Sequence, residues 1–534
     1  MDEEVKEKKP KETSSIEELN SLEEKKSNVK EQPSKKKSNK KGFSKIFIKK
    51  VISNNNSNKK TSNSSKGTNN SNRGIMNIAY VFVGLIMIML FYYSYFMLVE
   101  SKEVINNAYN KRQDVLSEQV VRGEIVSAEG KALAYTRVDK EGKEKRIYPY
   151  GSMFSHIVGR VDRGRAGLES SENFRLLTSS ENGIKKIYTE VSGEKNNGDR
   201  VVTTLNAKLQ EIAYQALGKR KGAIVIMEPS SGKILAMVSK PDYDPNSIGE
   251  DWNSLVDENS SDSALLNRAA QGLYPPGSIF KILTTLEFIR ENKNYETYSY
   301  TCKGHDIFNG VSIKCYNNRA HGEENLIESF AKSCNTSYAN IGTKLNVESF
   351  RKLCDSFLFN NALPINLVHN KSSFVLNKNS DSGEIPQTVI GQGKTQITPL
   401  HAALLVSTIA NGGAMMKPYV VDRIENVNGT VIQKNMPELY QKIITAEEAE
   451  ILTTYMSEVV KNGTATAINK KGYDAAGKTG SAEYEEGKPA HAWFVGFAPA
   501  RNPQIAVSII VEGVGTGSEY AVPIADKIFD AFFN

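Results

Sequence analysis

Apolar and polar positions alternate at three distinct periods along this chain, and each marks a different kind of structure. Residues 75–99, "IMNIAYVFVGLIMIMLFYYSYFMLV", carry no charge at all. A helix of about 20 apolar residues crosses a bilayer, so this run predicts a membrane-spanning anchor. Beyond it, "VVRGEIVSAEGKALA" (residues 120–134) reads as strand, Gly turn and strand. "GDRVVTTLNAKLQEIAYQAL" then changes from alternation to a helical period, with Leu209, Ile212, Ala213 and Ala216 on one face. At Gly222 the texture becomes more hydrophobic. "GAIVIMEPSSGKILAMVSK" predicts a tight hairpin of a buried antiparallel sheet, with its turn at residues 230–232. Helical patterns fill much of 279–292 and 323–359, "AHAWFVGFAPA" and "QIAVSIIVEGV" return to strand, and "AVPIADKIFDAFF" closes the chain as a helix. Strands at both ends with helices between them predict an α+β domain whose sheet joins its first and last segments.

Charge sharpens the picture at the N-terminus. The net charge of +7 comes from one block: residues 32–74 hold twelve Lys and Arg and no acidic residue. That block, rich in Ser and Asn, has too little apolar surface to fold, so residues 1–74 are expected to be a disordered basic tail. The rest of the chain is close to neutral, and nucleic acid is not implied. Basic residues before the apolar run and "ESKEV" after it place the tail in the cytoplasm and residues 100–534 on the far side. The run is too long, and too far from the N-terminus, for a cleaved signal peptide. The expected organisation is a tail at 1–74, an anchor at 75–99, a smaller α+β module at 100–218 and the larger domain at 219–534.

Candidate chemistry begins at "LYPPGSIFK" (residues 273–281). Ser-x-x-Lys alone means little here, because the chain repeats it at eight other places, from Ser27/Lys30 to Ser349/Lys352. The setting of Ser278 and Lys281 is different. Pro275, Pro276 and Gly277 stop a helix from extending backwards, so Ser278 falls in a first turn, at the positive end of the helix dipole. Lys281, one turn on, lies on the same face among Ile279, Phe280 and Ile282, where desolvation disfavours its charge. A neutral lysine there can take the proton of a serine nucleophile. The bland alternative is a serine N-cap with its lysine snorkelling to solvent. Two further motifs weigh against that: Ser333-Cys334-Asn335, and Lys478-Thr479-Gly480-Ser481. Ser-x-x-Lys, Ser-x-Asn and Lys-Thr-Gly in this order mark active-site serine enzymes acting on penicillin. "GQGKTQITP" at 391–399 is a near miss to the third motif.

On these motifs, together with "RGEIVSAEGKALA", "FSHIVGR", "NRAAQGLYPPGSIFK", "KSCNTSYA", "GKTGSAE" and "AWFVGFAP", the chain resembles the class B penicillin-binding proteins, the monofunctional peptidoglycan transpeptidases. It departs from the usual D-R-N-G turn, where Ser127-Ala128-Glu129-Gly130 stands. The resemblance implies a helical cluster on a five-stranded antiparallel sheet, carried on an elongated pedestal or dimerisation-type module. It implies that Ser278 forms an acyl-enzyme with the penultimate D-alanine of a stem peptide, with Lys281 as base and Ser333 and Lys478 passing a proton to the leaving amine. It further implies that Asn335 holds the donor's backbone and that Thr479 and Ser481, with Gly480 between them, bind its terminal carboxylate. Backbone N–H groups of Ser278 and Ser481 would form the oxyanion hole. No metal or organic cofactor is expected. The implied partners are D-Ala-D-Ala stem peptides, β-lactams as inhibitors, the membrane and a SEDS-type glycan polymerase. A D,D-carboxypeptidase or β-lactamase would use the same acyl-enzyme, but the anchor and the extra module argue for crosslinking. A non-catalytic sensor is disfavoured by the three intact motifs.

Four cysteines, at 302, 315, 334 and 354, need a separate reading. Cys302 and Cys315 could face each other across a hairpin, which leaves a bridge between them open. With His305 and His321 nearby the pattern also hints at zinc, but its irregular spacing argues against a site. Cys334 reads as a small packing residue, and His491 as structural.

Overall fold

The computed structural model describes residues 69–100, 117–257, 262–469 and 472–534. Most of the basic tail therefore lies outside the described residues; its last six, 69–74, begin a helix, Asn69–Tyr95. Within that region Arg73–Leu98 is the one stretch among the described residues long and apolar enough to cross a membrane.

The rest of the described chain builds two large sheets and four two-stranded ones. The first has six strands, in the order 431–434, 421–425, 200–203, 125–126, 132–138 and 144–147. Ile125 pairs with Val201 in parallel, and Val421 pairs with Thr203 antiparallel. The expected strand–turn–strand around Gly130 is present: Ser127 N donates to Lys131 O, Gly130 takes φ +81°, and Ser127 Oγ bonds Glu129 Oε2 at 2.7 Å. Two of the six strands were not anticipated, because they come from residues 421–434, far along the chain. Behind this sheet Glu169 is fully buried between Arg122 (2.6 Å) and Arg146 (2.8 Å). The two guanidinium groups hold its carboxyl below the usual range, against the pull of burial.

The second sheet has five strands, ordered 476–482, 491–498, 505–511, 222–227 and 234–240, every pair antiparallel. It joins the first and last segments of the larger domain, as the hydrophobic runs predict. All residues of 222–227, 491–498 and 505–511 are buried, so helices cover both faces and the strands need no polar alternation. Pro399–Ala410 packs against three of the strands, and Ala207–Leu217 and Val522–Phe533 pack against the sheet and each other.

Residues 277–291 form the element that matters most. A 3-10 turn, Gly277–Phe280, runs directly into the helix Lys281–Glu291, of which Lys281 through Phe288 are all buried. The apolar pattern on nearly every face is thus explained: this is a helix inside the domain. Phe280 anchors its start, with ring centroids 5.7 to 5.9 Å from Phe350, Phe359 and Phe374. Aromatic contacts of this kind contribute about 0.5–1.5 kcal/mol each beyond burial.

Candidate active site

The three motifs, 55 and then 145 residues apart in sequence, meet in one place. Ser278 sits half-buried in the 3-10 turn. In such a turn side chains three residues apart eclipse, which sets Lys281 beneath Ser278. Lys281 is wholly buried and does not snorkel to solvent. Its Nζ donates to Ser333 O (2.8 Å), Asn335 Oδ1 (2.7 Å) and Ser333 Oγ (3.3 Å), and it lies 5.1 Å from the centroid of the Tyr338 ring. Burial pulls its pKa down to about 8.

Lys478 arrives from the other side. It is also wholly buried, and its Nζ donates to the same Ser333 hydroxyl at 3.0 Å. Burial holds its pKa well below the ordinary lysine value, and the charge of Lys281 lowers it further. Two amines around one hydroxyl cannot both stay charged at low cost, so the charge of each favours the neutral form of the other. Ser333 is gripped in the left-handed region, at φ +59°, a conformation costing about 1–3 kcal/mol that its surroundings must sustain. Asn335 opens the helix Asn335–Gly342 and is engaged at both ends of its amide, accepting from Lys281 and donating to Lys314 O at 2.9 Å.

The Lys478-Thr479-Gly480-Ser481 segment is a strand at the edge of the five-stranded sheet, paired on one side only, with Lys478 opposite Val495 and Gly480 opposite Trp493. The Ser278 turn packs against this strand. A side chain at Gly480 would press on Trp493 Cβ (3.1 Å) and Pro276 O (3.2 Å), so glycine lets the strand approach the turn. Thr479 is hydrogen-bonded to the Thr464 hydroxyl, a contact no motif announces.

The near miss at 391–396 turns out to be a brace for the Ser278 turn. Gly277 N donates to Gly391 O (2.8 Å), Tyr274 and Ile397 exchange backbone hydrogen bonds, and Trp493 Nε1 donates to Pro275 O (3.0 Å). Gly391 has φ +79°, and a Cβ there would lie 1.9 Å from Gly277 O. Gly393 has a similar φ of +77°, and a Cβ there would meet nothing nearer than Gln387 Oε1 at 3.8 Å, an ordinary van der Waals contact. Gly393→Ala is therefore expected to cost only the left-handed strain, about 1–2 kcal/mol. Gly391→Ala must also push the turn aside, and its midpoint of thermal unfolding should fall several degrees further. Calorimetry on the two variants checks this; equal losses would remove the brace from the account.

Cys302 and Cys315 are free thiols, 3.7 Å apart between sulfurs, and no bridge joins them. Cys334 does more than pack: it caps the helix of Asn335 and touches Cys315. His305 is exposed and stands apart, while His321 joins the group. His491 is structural in its contacts, accepting from Gly513 N and stacked on Tyr484.

Comparison with known proteins agrees with this geometry. Residues 222–530 match the penicillin binding protein transpeptidase domain, and residues 122–201 the penicillin binding protein A dimerisation domain. The peptidoglycan D,D-transpeptidase PbpA of Mycolicibacterium smegmatis is 31% identical over 439 residues, covering 76% of this chain and 87% of that one. Stage V sporulation protein D of Bacillus subtilis is 29% identical over 419 residues, 72% of this chain and 63% of its own length. Among solved structures, penicillin-binding protein A from M. tuberculosis as its penicillin G acyl-enzyme superposes with a TM-score of 0.71 at 30% identity, covering 77% of this chain and 99% of that one.

Proposed function

The chain belongs to the class B penicillin-binding proteins, and from that premise we propose that it is a serine D,D-transpeptidase that crosslinks peptidoglycan stem peptides and is acylated by β-lactams. The observation that carries the reading is the convergence of two solvent-excluded lysines on the Ser333 hydroxyl, beside a serine left half-open in a braced turn.

In the reaction, Ser278 Oγ attacks the carbonyl of the penultimate D-alanine and Lys281 takes its proton. The tetrahedral oxyanion is received by the backbone N–H groups of Ser278 and Ser481, a device typically worth about 3 kcal/mol per donor. Lys478 and Ser333 deliver a proton to the leaving nitrogen, the C–N bond breaks, and D-alanine departs. An amine of a second stem peptide then attacks the Ser278 ester and restores the serine. The unpaired edge of the Lys478 strand suits an extended donor peptide, which would add to the sheet as a further strand. Thr479 and Ser481 hydroxyls would hold its carboxylate, and Asn335 would exchange one of its present partners for the donor's backbone.

Residues 219–534 would carry this chemistry and 100–218 the pedestal. The apolar helix anchors the chain, in our reading in the cell membrane with the N-terminus cytoplasmic, and a SEDS-type glycan polymerase in the same membrane is the proposed partner. Crosslinking and hydrolysis differ in what resolves the ester. Mixing the full chain in detergent with benzylpenicillin should give an adduct of drug mass on Ser278 that persists for many minutes by intact-mass spectrometry. Return to the free mass within seconds, with turnover of drug, would make it a hydrolase instead.

A further inference from the structure

Directly behind the Ser333–Asn335 loop lies a cluster that the acyl-transfer chemistry does not use. Cys302 ends the strand Ser299–Cys302, Cys315 follows the strand Val311–Lys314, His321 precedes the strand Gly322–Asn325, and Cys334 caps the helix Asn335–Gly342. Four separate segments thus each contribute one soft or borderline donor, and all four ligand atoms lie within 4.8 Å of one another. We propose that Cys302, Cys315, His321 and Cys334 form a closed, structural zinc site that holds the Ser333–Asn335 loop in its strained shape.

The spacing is the first argument. Zinc–sulfur bonds of about 2.3 Å and zinc–nitrogen bonds of about 2.0–2.1 Å, at tetrahedral angles, separate two sulfurs by about 3.8 Å and a sulfur from a nitrogen by about 3.5 Å. Cys302 and Cys315 are 3.7 Å apart, Cys315 and Cys334 are 3.8 Å apart, and Cys302 Sγ is 3.4 Å from His321 Nδ1. A disulfide would need about 2.05 Å between sulfurs.

The surroundings are the second. Three donors point at these sulfurs: Gly304 N (3.4 Å) and Thr336 Oγ1 (3.2 Å) at Cys302, and Ser337 N (3.5 Å) at Cys334. A thiol sulfur is a weak acceptor, whereas a metal-bound thiolate is charged and is steadied by such outer-shell donors. Gly304 has φ +92°, and a Cβ there would meet Asn318 O at 2.2 Å, so the turn that aims its N–H at Cys302 requires glycine. Zinc with three thiolates and a neutral imidazole carries one net negative charge, a favourable neighbour for the Lys281 amine. Four protein ligands leave no open coordination position, which makes the ion a clasp and not a Lewis acid. The irregular spacing in sequence is no obstacle, because the ligands do not come from one finger but are brought together by two antiparallel strand pairs and a helix cap.

Binding should release three thiol protons and add stability to the loop. Its consequence reaches the active site through Cys334, whose neighbours on either side are Ser333 and Asn335. The full chain, purified in detergent without chelators, should contain about one zinc by elemental analysis, as a four-ligand site requires. Stripping the metal under reducing conditions and adding cobalt should produce the visible absorption of tetrahedral cobalt–thiolate at one equivalent. Cys302→Ser and Cys315→Ser together should abolish both signals, while Ser278→Ala keeps them, so the metal count stands or falls independently of the acyl-enzyme. The stripped chain should acylate more slowly with benzylpenicillin and recover when zinc returns. Absence of zinc with no cobalt spectrum after reconstitution would overturn the proposal. So would a chain lighter by two hydrogens with Cys302 linked to Cys315, or zinc that survives the double substitution.

Discussion

Ser278→Ala is expected to abolish covalent labelling by a fluorescent penicillin completely, while leaving the protein folded. Both halves follow from the geometry. The oxygen at this position stands half-open, in a turn braced by Gly391 and Trp493 and anchored by Phe280. Ser333 cannot substitute for it. Its hydroxyl is enclosed between two lysine amines, and its backbone is held at φ +59°. The turn itself does not rest on the Ser278 side chain; the backbone closes it, with Lys281 N donating to Ser278 O and Ile279 O. Loss of the hydroxyl should therefore shift stability by no more than about 0.5 kcal/mol, as for other partly exposed sites away from caps and cores. Gel fluorescence and a melting curve on the same preparation suffice. A labelled alanine variant would mean that another residue is the nucleophile.

Lys281→Arg should reduce the rate of acylation by about 10²- to 10⁴-fold, the range that general-base catalysis contributes. Guanidinium keeps the positive charge but does not deprotonate in proteins, so it cannot accept the Ser278 proton. Because the pocket over Tyr338 is tight, Lys281→Met serves as the companion: it matches the length, removes both charge and base, and should lose as much. The pH profile separates a base from a mere cation. Burial lowers the Lys281 pKa to about 8, so the neutral form gains as pH rises through that value. Wild-type acylation should thus climb about tenfold per pH unit below 8 and level off above it, where one ionisation governs the base. Neither variant should keep this step. A Lys281→Arg enzyme acylating at near the wild-type rate would reduce Lys281 to a structural role.

How far the sequence could be read depended on whether a feature was local. The helix after Ser278 was legible because Pro275, Pro276 and Gly277 punctuate it and its apolar positions then fill most faces. The buried hairpin at 222–240 and the strands at 491–511 were legible from unbroken hydrophobic runs. The strand 476–482 was not, since "AGKTGSA" has small residues and glycines where a strand ordinarily shows branched ones. What makes it a strand is seven-residue pairing with 491–498, a partner outside any local window. The brace at Gly391 was hidden for a similar reason: its motif-like letters suggested chemistry, and only the approach of Gly277 reveals its work. The place of Cys334 beside Cys302, Cys315 and His321 was hidden because spacing was read along the chain, whereas folding brings Cys334 to the other three.

The six-stranded sheet has a consequence for how the molecule comes into being. The strand at 200–203 needs partners on both flanks, one already made at 125–126 and one, 421–425, that follows some 220 residues later. A chain that is synthesised from its N-terminus at about 5–20 residues per second must carry an open sheet edge for roughly ten to forty seconds before that partner exists. Unpaired edges are templates for wrong association. The early module therefore cannot complete itself first and wait; its last two strands are held in escrow by the segment that bears the serine. Any fragment cut near residue 219 exposes one side of that bargain, which argues for handling the two modules as one piece in expression, in export and in evolution.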